Sequence, residues 1–453
     1  MDTHERVLKS RRRASLPEWG LVAFFSYTLL SYPFYLKYLE YSAYQAGFVA
    51  LLLVVLVLFV VEPRVIPVGQ ITLRQLPIAL GVASYAVYLL ALGAASLLNA
   101  GEGYLIAELG RLLVKIVVGL AFVACVSDRA YRWMLDRYTD VMLVAAIGGT
   151  VLVVGAVLGW FSPIGTIQLP SAGLRDDGIR DAYILGFAWG ALPLPGGGKI
   201  IRLQSFTDEP GTFAFALLIA LIWAVHRRRG YSAAGLTTAL LLTWSIGALV
   251  AGLGALIVYL WRSLSIRRLS MLGLMVLSVA AILGVIVADH PAMPWSEVAD
   301  RYLQSKVGLS EGSSLGDRLS DIGAVVRVVD RHPFGLGGGG VARVVNVSLG
   351  VGWMRALAEA GFVGFTAYVL ALGILTWLGL RSALARRGDV AALGSIIVIL
   401  AFAAFQRARM DESIWHWWLM AAFVREFTVA RMAGSSKSVE SLERSDAAPQ
   451  EVR

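Results

Sequence analysis

Eight charged residues stand where they can act together: Arg202, Glu209, Arg318, Arg355, Glu359, Arg407, Arg409 and Asp411. Each lies at the edge of an apolar run or in a polar stretch beside one. A guanidinium offers a planar fork of donors that matches phosphate oxygens two at a time, so clustered arginines beside lipid suit a pyrophosphate. A carboxylate near them can take or give a proton; a low-dielectric wall raises its pKa and nearby arginines lower it. Glu209 is the first choice for that role, because Pro210 follows it and opens an apolar run. Glu359 and Asp411 are second choices, each at another helix end. Plainer roles remain open to the same residues. Asp208 and Glu209 suit the positive end of a helix whose first turn holds Pro210. Arg355 and Glu359 are spaced as a helix pair. Arg202 can anchor to headgroups, and Arg318 can be solvated.

The longest polar interruption, Asp289 to Gly352, carries Asp317-Arg318 and the run His332-Pro333-Phe334-Gly335-Leu336-Gly337-Gly338-Gly339-Gly340. A loop of that size between membrane segments is seldom a mere connector, and it reads as one wall of a site. Gly335 to Gly340 permit close backbone approach but lack the Lys-Ser/Thr of a nucleotide P-loop. His332 precedes a proline and reads as structural. Leu319, Ile322, Val325, Val326 and Val329 recur at the spacing of an amphipathic helix over Leu319 to Asp330. His290 and His332 form no close ligand pair. Asp176, Asp177 and Asp181 read as a solvated acidic turn with at most a weak hold on a hard cation. No metal and no cofactor is expected.

The elements that must position these residues are set by composition. The chain has 453 residues, 57% hydrophobic and 16% charged, with mean hydropathy +0.69. Soluble domains are about half apolar and a quarter charged, so the expectation is a polytopic membrane protein. The net charge of +9 sits in short clusters between apolar runs. That is the pattern of cytoplasmic loops, and no nucleic-acid partner is expected. Cys125 is the only cysteine, which excludes an intrachain disulfide, and it reads as a small core residue. The N-terminal stretch reads as a retained span preceded by a basic segment.

Twelve apolar spans are expected, with both termini in the cytoplasm. The first three are Trp19 to Leu36, Ala46 to Val61 and Gln75 to Gly101. The fourth, near Leu105 to Val126, contains Arg111 and Lys115, which reach toward headgroups. Asp128 to Asp140 reads as a charged turn, and Val141 to Pro163 as the fifth span. Ile164 to Glu209 is a first outer loop; its apolar part, Ala182 to Pro195, is too short to cross and suits an interfacial segment or a pair of strands. Pro210 to Val225 is the sixth span. A single helix over Tyr231 to Trp261 would be about 46 Å long, against roughly 30 Å of hydrocarbon. It would also separate two basic clusters, so a hairpin of two short helices turning near Ser245-Ile246-Gly247 is expected. Leu269 to Ala288, Trp353 to Leu380, Val390 to Gln406 and Ser413 to Phe427 complete the set, and the polar tail reads as disordered. The divisions are 1–163, 164–209, 210–288, 289–352, 353–428 and 429–453. Arg407 and Arg409 fall on the outer side against the usual charge bias, which marks them for a use there.

Four pieces of this chain, between Arg202 and Phe427, resemble the bacterial O-antigen polymerase and ligase superfamily. They are Arg202-Leu203-Gln204-Ser205-Phe206 with Glu209-Pro210; Ser245-Ile246-Gly247; Asp317-Arg318 followed by Pro333-Phe334-Gly335-Leu336-Gly337; and Ala358-Glu359-Ala360-Gly361-Phe362-Val363-Gly364. The resemblance implies an all-helical membrane fold of the GT-C kind, about twelve transmembrane helices with two large periplasmic loops. It implies transfer of glycans from undecaprenyl pyrophosphate at the periplasmic face of the inner membrane. Ligases of that family carry a His-Asn pair before the acid that Glu359 matches; here Gly350 and Val351 stand there. The expected activity is therefore metal-independent polymerisation of lipid-linked repeat units, with transfer to lipid A core as the alternative. A transporter or flippase is a third reading, weakened because few charges lie at mid-membrane. The implied partners are lipid-linked oligosaccharides and membrane lipid, with a chain-length regulator and a flippase beside them.

Overall fold

A computed structural model describes residues 76–100, 128–168, 179–182, 188–193, 199–205, 209–260, 314–344, 349–385 and 388–407, with isolated positions elsewhere. In chain order the elements are α1 (Leu76–Ala100), α2 (Asp128–Val157), strands β1 (Gly165–Gln168), β2 (Ile179–Ala182), β3 (Ala188–Pro193) and β4 (Lys199–Ser205), then α3 (Pro210–His226), α4 (Gly230–Leu242), α5 (Ile246–Leu260), α6 (Ser314–Arg331), α7 (Gly340–Val344), α8 (Gly352–Ala385) and α9 (Asp389–Gln406). Among the described residues, four stretches are long and apolar enough to cross a membrane: Leu76–Asn99, Tyr131–Ala156, Gly352–Leu384 and Asp389–Gln406. The chain is a mostly helical, multi-pass membrane protein. The expected first, second, fourth, ninth and twelfth spans, and the tail, lie wholly or mostly outside the described residues.

The bundle is built round α3. Every residue from Pro210 to Ala224 is buried. A helix that is apolar on all sides belongs inside a protein, and at 17 residues α3 is about 25 Å long, short of a full bilayer. Its small residues let neighbours approach closely, as membrane helix packing requires. Tyr138 of α2 donates to the Ala216 carbonyl at 3.0 Å. Around α3 pack α2, α4, α5 and α9. A second unit joins α1, α8 and α9. Here Gly364 lies on Ala91 and the Tyr88 carbonyl, and Gly379 faces the Gly394 carbonyl. Tyr368 reaches from α8 to the Ala404 carbonyl of α9 at 2.8 Å.

The uncharged run after Tyr231 breaks where the hairpin expectation put it. Helix α4 ends at Leu242 and α5 starts at Ile246, with Trp244 at φ 50° in the turn. Gly247 lies at Gln406, near the end of α9, and Gly252 at Leu218, midway along α3. Helix α5 therefore runs back alongside the core.

The charged stretch Asp128 to Asp140 is no turn: it is the first half of α2, continuous with the span. It contains neither glycine nor proline, and its charges find partners on α3 and α9, so nothing forces the helix to begin later. The segment expected as a first outer loop departs further from an all-helical expectation. It forms an antiparallel meander in the order β1-β2-β3-β4. Of the apolar part, Ala182 to Pro195, expected as an interfacial segment or a pair of strands, one strand, β3, lies in it. Strand β4 seats the sheet on α2. Leu203 is fully buried against Gly149, and Ser205 donates to the Ala145 carbonyl at 3.2 Å.

Helix α6 is amphipathic, as expected, but its buried face holds Val325, Val328 and Val329, while Val326 is exposed. That face packs on the first turns of α8 beside Met354 and Ala358. The sheet and the glycine loop share one end of the bundle, called the loop end below. The arginines that follow α3 and the start of α9 share the other, the basic end.

Candidate functional site

Glu209 is the N-cap of α3 and Arg407 the C-cap of α9. The two helices are antiparallel, so these caps meet at the loop end: Arg407 Nη1 donates to Glu209 Oε2. Gly211 makes the meeting possible. A Cβ there would overlap the Arg407 guanidinium, so only glycine lets the arginine lie across the first turn of α3. The Glu209 side chain is 50% exposed and that of Arg407 21%. Among the described residues, Arg407 Nε and Gln406 Oε1 are buried with no hydrogen-bond partner. Buried polar atoms are normally paired, so this neighbouring donor and acceptor mark a place where a polar ligand can be held.

Arg202 enters from the sheet. It stands opposite Gly190 on β3, and its guanidinium reaches the turn between α4 and α5. Nε donates to the Thr243 carbonyl at 3.0 Å and Nη2 to the Trp244 carbonyl at 3.5 Å. Helix α4 leaves those carbonyls without intrahelical donors, and Arg202 supplies them. The same turn leads to Gly247, whose Cα lies against the Gln406 amide. Arg202, the turn, Gln406, Arg407 and Glu209 thus form one connected wall.

Helix α8 adds the next part. Gly352 packs on the Ala404 and Arg407 carbonyls. Arg355 follows on the same turn, and its Nε donates to Glu359 Oε2 at 2.8 Å. The other Glu359 oxygen accepts the Gly339 amide at 2.8 Å. The side chain of Glu359 is only 6% exposed. Glu359 therefore ties the glycine loop to α8, with both carboxylate oxygens engaged.

Main-chain bonds complete that latch. The amides of Leu336 and Gly337 donate to the carbonyls of Ala358 and Glu359 at 3.0 and 2.9 Å, and Phe362 N–H returns a bond to the Pro333 carbonyl at 3.1 Å. Helix α8 kinks at Gly361, with φ 66° and ψ −171°. The kink opens its backbone to the loop, and a side chain there would strike Pro333 and Phe334. From α1, Ser96 Oγ accepts the Gly338 amide at 2.9 Å, and Asn99 donates to the Gly335 carbonyl at 3.2 Å. The signal for these two was present in the sequence: they are hydroxyl and amide residues one turn apart near the end of an uncharged helix.

Of the eight charged candidates, the structure joins Arg202, Glu209, Arg355, Glu359 and Arg407 at the loop end. Arg318 lies in the first turns of α6, which packs on α8, and its side chain is outside the described residues. Arg409 and Asp411 are also outside them, as are Asp176, Asp177 and His290. Asp181, expected in an acidic turn, lies instead on β2 opposite Thr166, with its side chain outside the described residues. His332 follows α6 and is half-buried, its carbonyl accepting the Gly335 amide at 2.9 Å. Among the described residues, no three His, Cys, Asp or Glu side chains gather as a metal site.

The opposite ends of α3 and α9 are joined as well. His226 Nε2 and Asp389 Oδ1 are 2.8 Å apart, and Asp389 Oδ2 accepts from Tyr131 at 2.8 Å and from Arg132 at 2.5 Å. No family model matches this chain, and no curated protein matches it.

Proposed function

We propose that this protein is a membrane glycosyltransferase that polymerises oligosaccharide repeat units carried on undecaprenyl pyrophosphate. In this reading the described helices belong to a twelve-span bundle of the GT-C kind in a bacterial inner membrane. The loop end, with the sheet and the glycine latch, faces the periplasm. The basic end faces the cytoplasm, in keeping with the usual excess of arginine on that side.

The observation that carries the reading is the Glu209–Arg407 pair, set over Gly211 at the head of a buried helix. A glycan transfer from a polyprenyl pyrophosphate needs two things. A sugar hydroxyl of the acceptor must lose its proton as its oxygen attacks the anomeric carbon. The bond from that carbon to the pyrophosphate must break, with the charge on the departing oxygens stabilised. Glu209 takes the proton, and Arg407, aided by the α3 N-terminus, meets the leaving pyrophosphate. Arg318 and Arg409 are assigned to the same anion, and Asp411 stands as a second acid. Glu359 has both oxygens committed to the latch, so Glu209 is preferred as the base.

Arginines and a helix terminus carry the charge, so activity should persist in EDTA. The test is glycan analysis of a strain lacking the protein. A polymerase defect leaves single repeat units where long chains stood. Accumulated long lipid-linked chains would instead mark a ligase and overturn the reading.

A further inference from the structure

The basic end holds a feature that the transfer reaction does not use. Between α2, α3 and the link to α4 lies a cavity of about 230 Å³ lined by Asp136, Arg137, Arg227 and Arg229. Its carboxylates are already spoken for. Asp136 accepts from Trp223 Nε1 at 2.9 Å and faces Arg227 at 3.4 Å. Asp140 pairs with Arg229 and, at 3.1 Å, with Arg137. Three arginines against two aspartates leave a surplus of one positive charge round the cavity. The side chains of Arg137 and Arg227 are 58% and 42% exposed, so the cavity opens at the surface.

Its depth is marked by tryptophan. The Arg137 guanidinium lies over the Trp133 ring, 5.8 Å from its centroid, and Trp133 meets Trp19 edge-on at 5.4 Å. Both tryptophans are exposed at the end of an apolar span. Such rings settle at the headgroup level, and basic pockets between helix ends at that level hold lipid phosphates. We propose that this cavity is a binding site for the phosphodiester of an anionic lipid in the leaflet at the basic end. One phosphodiester charge balances the surplus, while its acyl chains lie along the apolar surface of α2. The site joins α2 to the end of α3, next in the chain to His226.

The test uses the full-length purified protein in detergent, with thermal unfolding followed as lipid is added. Phosphatidylglycerol should raise the midpoint; phosphatidylcholine with the same chains, and inorganic phosphate, should not. Arg137→Gln and Arg227→Gln should each weaken phosphatidylglycerol binding about fivefold, since a headgroup-level arginine is worth about 1 kcal/mol. Arg381→Gln is the control. It also places a guanidinium over a tryptophan, 5.4 Å from Trp377, but lines no part of this cavity. Native mass spectrometry should show phosphatidylglycerol retained by the Arg381→Gln protein and depleted from the other two. Equal stabilisation by phosphatidylcholine would mean the chains alone bind. Stabilisation by free phosphate would mean the lipid is irrelevant. An equal loss in Arg381→Gln would reduce the site to diffuse surface charge. Each of these three results overturns the proposal, as does full phosphatidylglycerol binding by Arg137→Gln.

Discussion

Glu209 and Arg407 are 198 residues apart in the chain and joined in the fold. The helices they cap are joined again at the far end, where His226 meets Asp389 at 2.8 Å. The antiparallel pair α3–α9 is thus pinned at both ends, with the open, half-exposed carboxylate at the loop end only. That asymmetry leaves the loop-end carboxylate open to solvent, while the His226 and Asp389 side chains are only 14% and 13% exposed.

Glu209→Gln keeps the shape of the side chain and removes the proposed base. It should lower polymer formation by roughly 10²-fold or more in proteoliposomes supplied with lipid-linked repeat units. Folding, judged by size-exclusion profile, should be unchanged, since a helix-end acid contributes only about 0.3–1 kcal/mol. Arg407→Ala should also abolish polymerisation. Wild-type turnover by a well-folded Glu209→Gln protein would remove Glu209 from the mechanism.

Arg202 is expected to affect stability as well as activity. Its bonds to the Thr243 and Trp244 carbonyls hold the turn between α4 and α5. Hydrogen bonds from a charged donor are worth about 1.5–3 kcal/mol, so Arg202→Ala should lower the melting midpoint in detergent. Arg202→Lys should fail to restore it, because an ammonium cannot span both carbonyls as the fork does. Arg318→Ala, at normal expression, should lose polymer. Full-length polymer from the Arg318→Ala protein would count against a role for that arginine at the pyrophosphate.

The latch can be opened from either side. Gly337 has φ 75°, and a Cβ there would lie 2.4 Å from Ser96 Cα. Gly337→Ala should therefore destabilise by more than the roughly 1 kcal/mol of a simple glycine replacement. Glu359→Gln weakens the hold on both Arg355 and the Gly339 amide. Limited proteolysis should cut both variants within residues 335–340 faster than the wild type. Unchanged protection would show that the loop is held by contacts other than these.

Orientation is checked by reporter fusions. With the loop end outside, fusions at Ala172 and at Ser313 should both read periplasmic, as the distribution of arginine implies. A cytoplasmic signal from either would invert the bundle and move the proposed site to the wrong side of the membrane.

Composition and local pattern determined much of the architecture. Long apolar runs became α1 and most of α8 and α9 because a low-dielectric medium leaves the helix as the way to satisfy their backbone. The run after Tyr231 exceeded the bilayer, and the break fell at Thr243 to Ser245, as its length and flanking arginines required. The amphipathic face of α6 was legible from its period, apart from the exchange of Val326 for Val328, one residue pair at the edge of the stripe. The tertiary structure decided which groups the charges meet. Periodicity reports which face of an element is apolar; it carries no information about which distant element meets that face. Only packing could seat Arg407 across Gly211 beside Glu209, tie Glu359 to the Gly339 amide, place Arg202 on the carbonyls of a turn, and fold an irregular loop into four strands. Those pairings depend on how antiparallel helices line up their ends, a long-range relation to which neighbouring residues in the chain are blind.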